Sequence, residues 1–299
     1  MFVDMLGKTR IKLSLHLHSA FSDGELTPPE IAELYAAEGY DAIAVTDRWI
    51  FGEECELSGL LVLSGAEYDV GGGDRDNGIY HVVGIGMTSD PEIPYDWKNM
   101  KKTAASKAEQ IIEKIRLYNG FSFVAHPAWC DNTARKLLDV GCFDGLEIFS
   151  AASAFGGEDK SYSGDIVTEL AKFGTLPVLI ASDDAKDYAD EQFCAAVMVE
   201  ASEMDSASIV RALRAGRFYS TEGPEVHISV SVGGKVKVTC SPCTNIELFT
   251  NDADKQGKCF SGEGLVEAEY SLKQGERYVR AEVTDSLGNR AWTNYLSVD

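Results

Sequence analysis

Short runs of apolar residues recur between residues 11 and 201, and amphipathic stretches separate them. Each run has five to seven residues and is apolar at successive positions, which is typical of strands buried on both faces of a parallel sheet. The pattern therefore predicts seven strands in this part of the chain. The runs are Ile11–Leu17, Ala42–Thr46, Leu60–Ser64, Phe121–Ala125, Gly145–Phe149, Leu176–Ala181 and Ala195–Val199.

Three of the amphipathic stretches carry start and stop signals of helices. In the first, Thr27 precedes two prolines and Glu30, which is the pattern of a capping box, and Gly39 provides the stop. The other two have an apolar stripe at helical spacing and end at a glycine. The three predicted helices are Thr27–Gly39, Thr103–Tyr118 and Asp205–Gly216.

The alternation of strands and helices predicts an α/β fold, either a seven-stranded βα barrel or an open doubly wound sheet. The segment Ile79–Met87 directly follows the third run and is expected to be an inserted hairpin strand. After Glu222 the pattern changes to short alternating strands with turn residues between them, which predicts an antiparallel β-sandwich of about 75 residues. We therefore expect a barrel domain at residues 1–222 and an accessory domain at residues 223–299. The predicted strands of the sandwich are Val226–Val232, Lys235–Cys240, Asn245–Phe249, Glu267–Leu272, Tyr278–Thr284 and Ala291–Val298.

Composition and charge narrow the possible partners. The 299-residue chain has 27 Lys and Arg against 48 Asp and Glu, a formal net charge of −21. Such a surface repels nucleic acid phosphates and anionic membranes, so neither is expected as a partner, and an anionic substrate requires local positive charge. No apolar stretch approaches the ~18 residues of a membrane span. The number of cysteines, seven, is odd, and four of them, Cys55, Cys130, Cys142 and Cys194, are scattered singly, which favours a reducing compartment, and we expect a cytoplasmic protein.

The histidines provide the strongest chemical signal in the chain. His16 and His18 lie two residues apart at the end of the first run, so their side chains point the same way and can share one ion. A His-x-His pair alone is a weak signal, but other histidines and carboxylates also follow predicted strands, whose carboxyl ends converge in a barrel. This joint placement predicts a metal site. The candidates are His16, His18, Asp47, Glu67, His81, His126, Asp183 and Asp184.

The sequence HLHSAFSDG, from His16 to Gly24, resembles the opening motif of the PHP (polymerase and histidinol phosphatase) family of metal-dependent phosphoesterases. The likeness extends over about residues 11–222. With GRFYSTEGP at residues 216–224 and a following β domain, the chain is similar to the carbaryl hydrolase-like branch. The other matching motifs are Thr46-Asp47, Gly65-Ala66-Glu67, His81 in HVVGIG, Ala125-His126-Pro127 and Ser182-Asp183-Asp184-Ala185-Lys186.

The resemblance implies a distorted seven-stranded βα barrel that holds two metal ions. The family spacing Asp-x-His favours Asp184 as a ligand, because Asp184 and Lys186 have that spacing, and Asp183 stays an alternative. A mixed set of imidazoles and carboxylates suits Zn, Mn or Fe. The resemblance assigns His16, His18, Glu67 and Asp184 to one ion, and Glu67, His81 and His126 to the other.

Two positions depart from the family pattern. Arg48 and Lys186 stand where trinuclear members have histidines that bind a third ion together with the residue at Asp23. Neither an arginine nor a protonated lysine can donate a lone pair to a metal, so we expect a centre of two ions. The two cations could form ion pairs with Asp23, or they could bind a substrate phosphate or carboxylate. Lys186 could also protonate a leaving oxygen.

The implied activity is hydrolysis of a small phosphoester by a hydroxide that bridges the two ions. Two alternatives stay open: hydrolysis of a carbonyl compound such as a carbamate, ester or lactone, and a non-catalytic binding module. Arg48 and Lys186 favour a small anionic substrate, and the family resemblance implies that it is phosphorylated. Glu147, at the end of the fifth run, either faces the mouth or is a solvated carboxylate, and we expect the second. Trp129 either walls the substrate pocket or packs structurally.

Overall fold

The computed structural model describes residues 1–72, 78–99, 102–155, 158–254 and 256–298. Within these ranges the chain is a mixed α/β structure, as predicted, with more strands than helices. The strands are β1 (Phe2–Val3), β2 (Thr9–Leu17), β3 (Ala42–Val45), β4 (Cys55–Leu57), β5 (Leu60–Leu63), β6 (Gly65–Gly71), β7 (Ile79–Ile85), β8 (Phe121–Val124), β9 (Gly145–Ser150), β10 (Val178–Ser182), β11 (Ala196–Val199), β12 (Phe218–Thr221), β13 (Val226–Val230), β14 (Lys235–Thr250), β15 (Cys259–Ser271), β16 (Tyr278–Thr284), β17 (Arg290–Thr293) and β18 (Leu296–Ser297).

All three predicted helices are present. The backbone amide of Thr27 donates to the carboxylate of Glu30 at 2.9 Å, which completes the predicted capping box. Two further helices were not predicted, because one has only five residues and the other begins at Gly164 without a side-chain cap from Ser163. The helices are α1 (Pro28–Ala37), α2 (Ala104–Leu117), α3 (Ala134–Leu138), α4 (Gly164–Lys172) and α5 (Ser206–Arg214).

Two sheets enclose the interior of the region before residue 222. The larger sheet contains the order β12-β11-β2-β3-β5, and the second has the order β10-β9-β8-β7-β6. Only Ser64 separates β5 from β6, so this segment joins the sheets on one side. On the other side the Ser220 hydroxyl in β12 donates to the Leu179 carbonyl of β10 at 2.7 Å and accepts from the Ala181 amide at 3.1 Å. The two sheets therefore curve around a common core.

Strand direction differs from the expectation of a parallel sheet at β11. This strand, predicted as Ala195–Val199, is antiparallel to both of its neighbours, β2 and β12. A parallel crossover needs a connection long enough to carry the chain back across the sheet, usually a helix, and the segment 183–195 contains none. The inserted strand predicted at Ile79–Met87 is confirmed as β7, which is antiparallel to β6 and to β8.

The strands after residue 222 continue the larger sheet. β17 pairs with β12 on one side and with β16 on the other, so strands on both sides of residue 222 share hydrogen bonds. Trp292 in β17 is fully buried and stacks on Phe149 and Tyr162, with ring centroids 5.7 and 6.3 Å away. The domain division at residue 222 stays a prediction.

One strand of this region was predicted wrongly as two. The segments Lys235–Cys240 and Asn245–Phe249 form the single strand β14 of 16 residues. Its register against β15 shifts between Thr239 and Asn245, and Pro242 lies within that irregular stretch. A proline has no amide to donate to a ladder, so it interrupts the sequence pattern, whereas the chain continues as a strand.

None of the helices in the described ranges combines the length and apolar composition that a membrane crossing requires.

Candidate metal centre

Six of the predicted site residues come together where the strands of both sheets end. His16 lies in β2 and His18 directly follows it, whereas Glu67 lies in β6 and His81 in β7. His126 and Asp184 stand two residues beyond β8 and β10. Each of these residues is at most 7% exposed, so several ionisable groups are buried in direct contact. Such burial is costly unless the charges compensate each other or bind a metal. The six residues are His16, His18, Glu67, His81, His126 and Asp184.

The first group of donor atoms consists of His16, His18 and Asp184. The Nε2 atoms of the two histidines are 3.3 Å apart, and Asp184 Oδ1 lies 3.3 Å from the first and 3.1 Å from the second. Ligands about 2.0–2.1 Å from a tetrahedral ion are separated by about 3.3–3.4 Å. The three atoms therefore have the spacing of ligands to one ion.

Glu67 lies between this group and a second one. Its Oε2 is 3.2 Å from His18 Nε2, whereas its Oε1 is 2.7 Å from His81 Nδ1 and 3.6 Å from His126 Nε2. Oε1 is also 3.7 Å from His16 Nε2, and His16, Glu67 and His126 form a second set with metal-ligand spacing. The two oxygens of one carboxylate thus face different sets of histidines, as a bridging ligand would.

Two of these residues have a backbone conformation that is unusual for residues other than glycine. The φ angle is 29° at His126 and 51° at Asp184. Positive φ values bring the side chain of an L-residue close to its own backbone, and such strained positions cluster at functional sites. Here the strain turns both side chains toward the shared cluster from the loops after β8 and β10.

The loop after β2 is fixed by Asp47, a residue that follows β3. Its carboxylate accepts hydrogen bonds from the amide and hydroxyl of Ser19, at 2.8 and 2.5 Å, and from the hydroxyl of Ser22 at 2.5 Å. Gly24 closes the loop, and a Cβ atom there would lie 2.1 Å from the carbonyl oxygen of His18. Asp47 therefore shapes the loop that carries Asp23, although the sequence pointed to it only as a candidate ligand.

Arg48 and Asp23 form an ion pair at the rim of the cluster. Arg48 Nε is 2.9 Å from Asp23 Oδ2, and Arg48 Nη1 is 2.6 Å from Glu67 Oε2. Asp23 Oδ1 is in turn 3.2 Å from His18 Nδ1. The Arg48 side chain keeps a quarter of its surface exposed, so it connects buried Glu67 with the solvent-facing mouth.

Lys186 has an equivalent place on the other side of the cluster. Its Nζ donates to Asp184 Oδ1 at 2.5 Å and to the Asp184 carbonyl oxygen at 2.8 Å, and its side chain is also about a quarter exposed. Each cation thus contacts one carboxylate of the cluster, Arg48 through Glu67 and Lys186 through Asp184. Both lie within reach of a ligand that enters the mouth.

Glu147 was expected to be solvated, and that prediction is wrong. This residue of β9 is fully buried, and its Oε1 lies 3.1 Å from His16 Nδ1 and accepts a hydrogen bond from the Ser182 hydroxyl. Its Oε2 accepts from the backbone amide of His126 at 2.7 Å. Glu147 therefore holds two predicted ligands from behind, because the parallel pairing of β9 with β8 and β10 directs it inward.

Asp183, the alternative ligand, lies away from the histidines. It accepts hydrogen bonds from the Tyr35 hydroxyl at 2.6 Å and from the amides of Ala195 and Phe193 at 2.8 and 3.2 Å. Burial raises its pKa to about 6 despite these donors. Its contacts fix the segment between β10 and β11, and it is Asp184 that reaches the cluster.

The carboxylates and imidazoles of the cluster shift each other's pKa values in opposite directions. Burial alone would raise the pKa of Glu67, but the surrounding histidines, His81 first, hold it well below its usual range. Burial alone would lower the pKa of His18, yet hydrogen bonds to carboxylates, Asp184 first, raise it to about 10. Buried, convergent imidazoles and carboxylates of this kind fit a divalent transition metal.

Trp129 lies at the outer side of two of the histidines. Its ring contacts the His126 ring at a centroid distance of 5.2 Å and the His81 ring at 5.8 Å, both in an edge-to-face arrangement. The side chain remains 48% exposed. Trp129 thus packs against the cluster while about half of its surface stays open to solvent.

No family model matches the chain, but two curated relatives are similar in sequence. A 3′,5′-nucleoside bisphosphate phosphatase of Chromobacterium violaceum is 29% identical over 145 residues, which covers 43% of this chain and 50% of the phosphatase. An uncharacterised protein of Methanocaldococcus jannaschii is 28% identical over 200 residues, covering 61% of this chain and 86% of that protein. The chain thus spans half the length of the first relative.

One solved structure matches nearly the whole chain. It is a two-domain protein of Bacteroides vulgatus that contains a predicted PHP-like metal-dependent phosphoesterase. It has a TM-score of 0.53 and 16% identity, and the match covers 99% of this chain and 98% of that chain. The likeness confirms the predicted resemblance at the level of the fold, across both parts of the chain. The closer likeness to the carbaryl hydrolase-like branch stays a prediction.

Proposed function

We propose that this chain, a PHP-like protein in fold and in sequence, is a metal-dependent hydrolase of a small phosphoester. The proposal rests mainly on the buried cluster around Glu67. One carboxylate oxygen of Glu67 faces His18, and the other faces His81 and His126. The named activity of the Chromobacterium relative, a phosphatase, supports the same reaction class.

The proposed centre holds two divalent ions. His16, His18 and Asp184 would hold one, His81 and His126 the other, and Glu67 would contact both. When bound, such ions lower the pKa of a water molecule, which would lie between them in our proposal, and their positive charge stabilises the phosphoryl oxygens. Glu147 keeps His16 in one orientation through Nδ1 and leaves Nε2 for the ion.

Arg48 and Lys186 are proposed to bind the substrate phosphate. Both are partly exposed beside the cluster, and each is paired with a carboxylate that an ion would also engage. Once an ion takes up that negative charge, the two cations can turn toward an anion in the mouth. Arg48 would orient two phosphoryl oxygens with its planar fork, and Lys186 would donate a hydrogen bond or a proton to the leaving oxygen.

Metal analysis of the purified chain combined with a substrate screen tests this proposal. We expect about two transition-metal ions per chain and release of phosphate from small phosphoesters, with nucleoside bisphosphates among the first compounds. Asp184→Asn should lose metal and activity together, whereas Asp165→Asn, at an exposed aspartate in the first turn of α4, should keep both.

Each other outcome has a defined meaning. Three ions per chain would contradict the assignment of Arg48 and Lys186 to the substrate. Cleavage of aryl esters without phosphate release would favour a carbonyl hydrolase on the same site. A fully metallated protein that turns over neither class would be a binding module.

A further inference from the structure

Three exposed aromatic residues lie in loops that adjoin the metal centre. Among the described residues, six aromatic side chains have large exposed surfaces, and three of these lie in the loops that follow β2, β8 and β9. Those loops also carry or adjoin the site, since Phe21 is two residues from Asp23. In the helical turn before Phe155, the Ala152 amide donates a hydrogen bond to the Asp183 carbonyl at 3.0 Å. The three rings are Phe21, Trp129 and Phe155, which are 66%, 48% and 50% exposed.

Trp129 is the ring in direct contact with the proposed ligands. It touches the rings of both His81 and His126, and these two residues are only 7% and 3% exposed. Nearly half of the Trp129 surface nevertheless faces solvent at this point. A large apolar surface left open beside a polar, charged centre is typical of a ligand site in which ring contacts complement a few polar anchors.

The Trp129 ring lies close to Arg48, the cation proposed to bind the substrate phosphate. Arg48 Nη1 lies 3.2 Å from His81 Nδ1, and the His81 ring in turn contacts the Trp129 ring. One imidazole therefore separates the cation that would hold a phosphate from the indole. A phosphate attached to a planar ring, directly or through a short linker such as a sugar, spans that separation.

We propose that Trp129 is a specificity-determining residue on which a planar aromatic group of the substrate stacks, so that aryl or nucleoside phosphates are preferred over alkyl phosphates. This inference rests on the proposed phosphoesterase function. The indole offers a π-face that any planar ring can use, which predicts selectivity for aromatic character rather than for one particular base.

The test compares substrates with and without a ring on the metal-loaded protein. We expect the wild type to have a higher kcat/KM for phenyl phosphate and for a nucleoside monophosphate than for glycerol phosphate. Trp129→Leu should lower kcat/KM for the two aromatic substrates by about 5- to 100-fold, mainly through KM, and leave glycerol phosphate nearly unchanged. Trp129→Phe should restore most of the preference. If phenyl phosphate and the nucleoside monophosphate exceed glycerol phosphate in kcat/KM by a similar factor, the protein recognises the ring alone.

Two controls separate stacking from packing. Phe173→Leu changes an equally exposed ring, 48%, at the end of α4 and should have no effect on selectivity. Metal content should stay the same in Trp129→Leu. An equal loss on all three substrates, or a loss of metal, would mean that Trp129 only supports the histidines and would overturn the inference.

A binding measurement keeps the inference independent of turnover. Phenylphosphonate should bind the metal-loaded wild type more tightly than methylphosphonate by calorimetry, and Trp129→Leu should remove the difference. If no phosphoester is hydrolysed but this difference is found, the proposed function fails and the ring site stands. If phosphoesters are hydrolysed without any ring preference, the function stands and the ring site fails.

Discussion

Glu147 connects two proposed ligands from positions that are far apart in the sequence. Its carboxylate contacts His16 Nδ1, the His126 amide and the Ser182 hydroxyl. None of these three groups is a donor atom that would bind an ion. Carboxylates that hold a metal-ligating imidazole in this way set its orientation and its basicity. The effect of Glu147 on the centre is therefore expected to be indirect.

Replacement of Glu147 by glutamine tests this role. The amide NH₂ of Gln cannot accept a hydrogen bond. Either the His16 imidazole or the His126 amide therefore loses the carboxylate oxygen that accepts from it. We expect Glu147→Gln to weaken metal affinity by about 10- to 100-fold while the fold persists. Titration of metal-free protein with Mn²⁺ measures this, with exposed Glu169→Gln as the matched control. Unchanged affinity would make Glu147 a purely structural residue.

Single residues also mark the limit of what the sequence could predict about the site. The histidines and carboxylates were found because strand ends converge, which depends only on the order of elements along the chain. Glu147 was placed wrongly because a glutamate within a strand has the same pattern whether it faces solvent or an imidazole. Its direction depends on the pairing of β9 with its neighbours, and the sequence of one strand does not contain that information.

At the scale of elements, β17 connects the two parts of the molecule. It pairs with β12 and β16, and its Trp292 is fully buried against Phe149 and Tyr162. Within the described part of the chain, the indole Nε1 of Trp292 has no hydrogen-bond partner. The residue thus contributes through its apolar area and its fit rather than through a polar contact.

Truncation of Trp292 should therefore destabilise the whole chain. Trp292→Ala is expected to lower the free energy of unfolding by about 3–5 kcal/mol, because it removes a buried ring and leaves a cavity. Trp292→Phe should cost clearly less, since it keeps an aromatic ring and loses only an unpaired donor with part of the volume. Thermal or urea unfolding measures both, and Leu287→Ala, at a side chain that is 84% exposed, is the control. Equal losses for Ala and Phe would contradict this account.

Elements were predictable where local chemistry defines them. Helix α1 follows from its capping box, and α2 and α5 follow from an apolar stripe with a side-chain cap at the start. The direction of β11 was not predictable, because a short apolar run has the same pattern in a parallel and in an antiparallel sheet. Pairing between distant strands decides such cases, and it becomes visible only in the assembled sheet.

For the molecule as a whole, the junction between β12 and β17 introduces a dependence of stability on pH. Burial raises the pKa of Glu222 from 4.5 to about 7, although Arg290 acts against the shift. The Glu222 carboxylate accepts the Arg290 amide at 2.9 Å. Between these two pKa values the folded state keeps a proton that the unfolded chain has released, so this residue lowers stability as pH rises through that interval.

Glu222→Gln should remove this contribution. Relative to the wild type, we expect the melting temperature of the variant to be similar at about pH 5 and higher at about pH 8, because only the wild type must then bury a charge. Melting curves across this interval measure the difference. The exposed Glu263→Gln in β15 should show no such divergence. A constant offset between variant and wild type at every pH would show that Glu222 titrates normally.

The pairing of β12 with β17 also has a consequence for synthesis of the protein. A ribosome releases β12 long before β17, since β13 to β16 must be translated in between. During that interval β12 has an open edge, with backbone amides and carbonyls that can pair with any extended segment nearby. The nascent chain is therefore vulnerable to association with other chains until β17 has been translated and can pair with β12, and chaperones that shield exposed strands would act in this period.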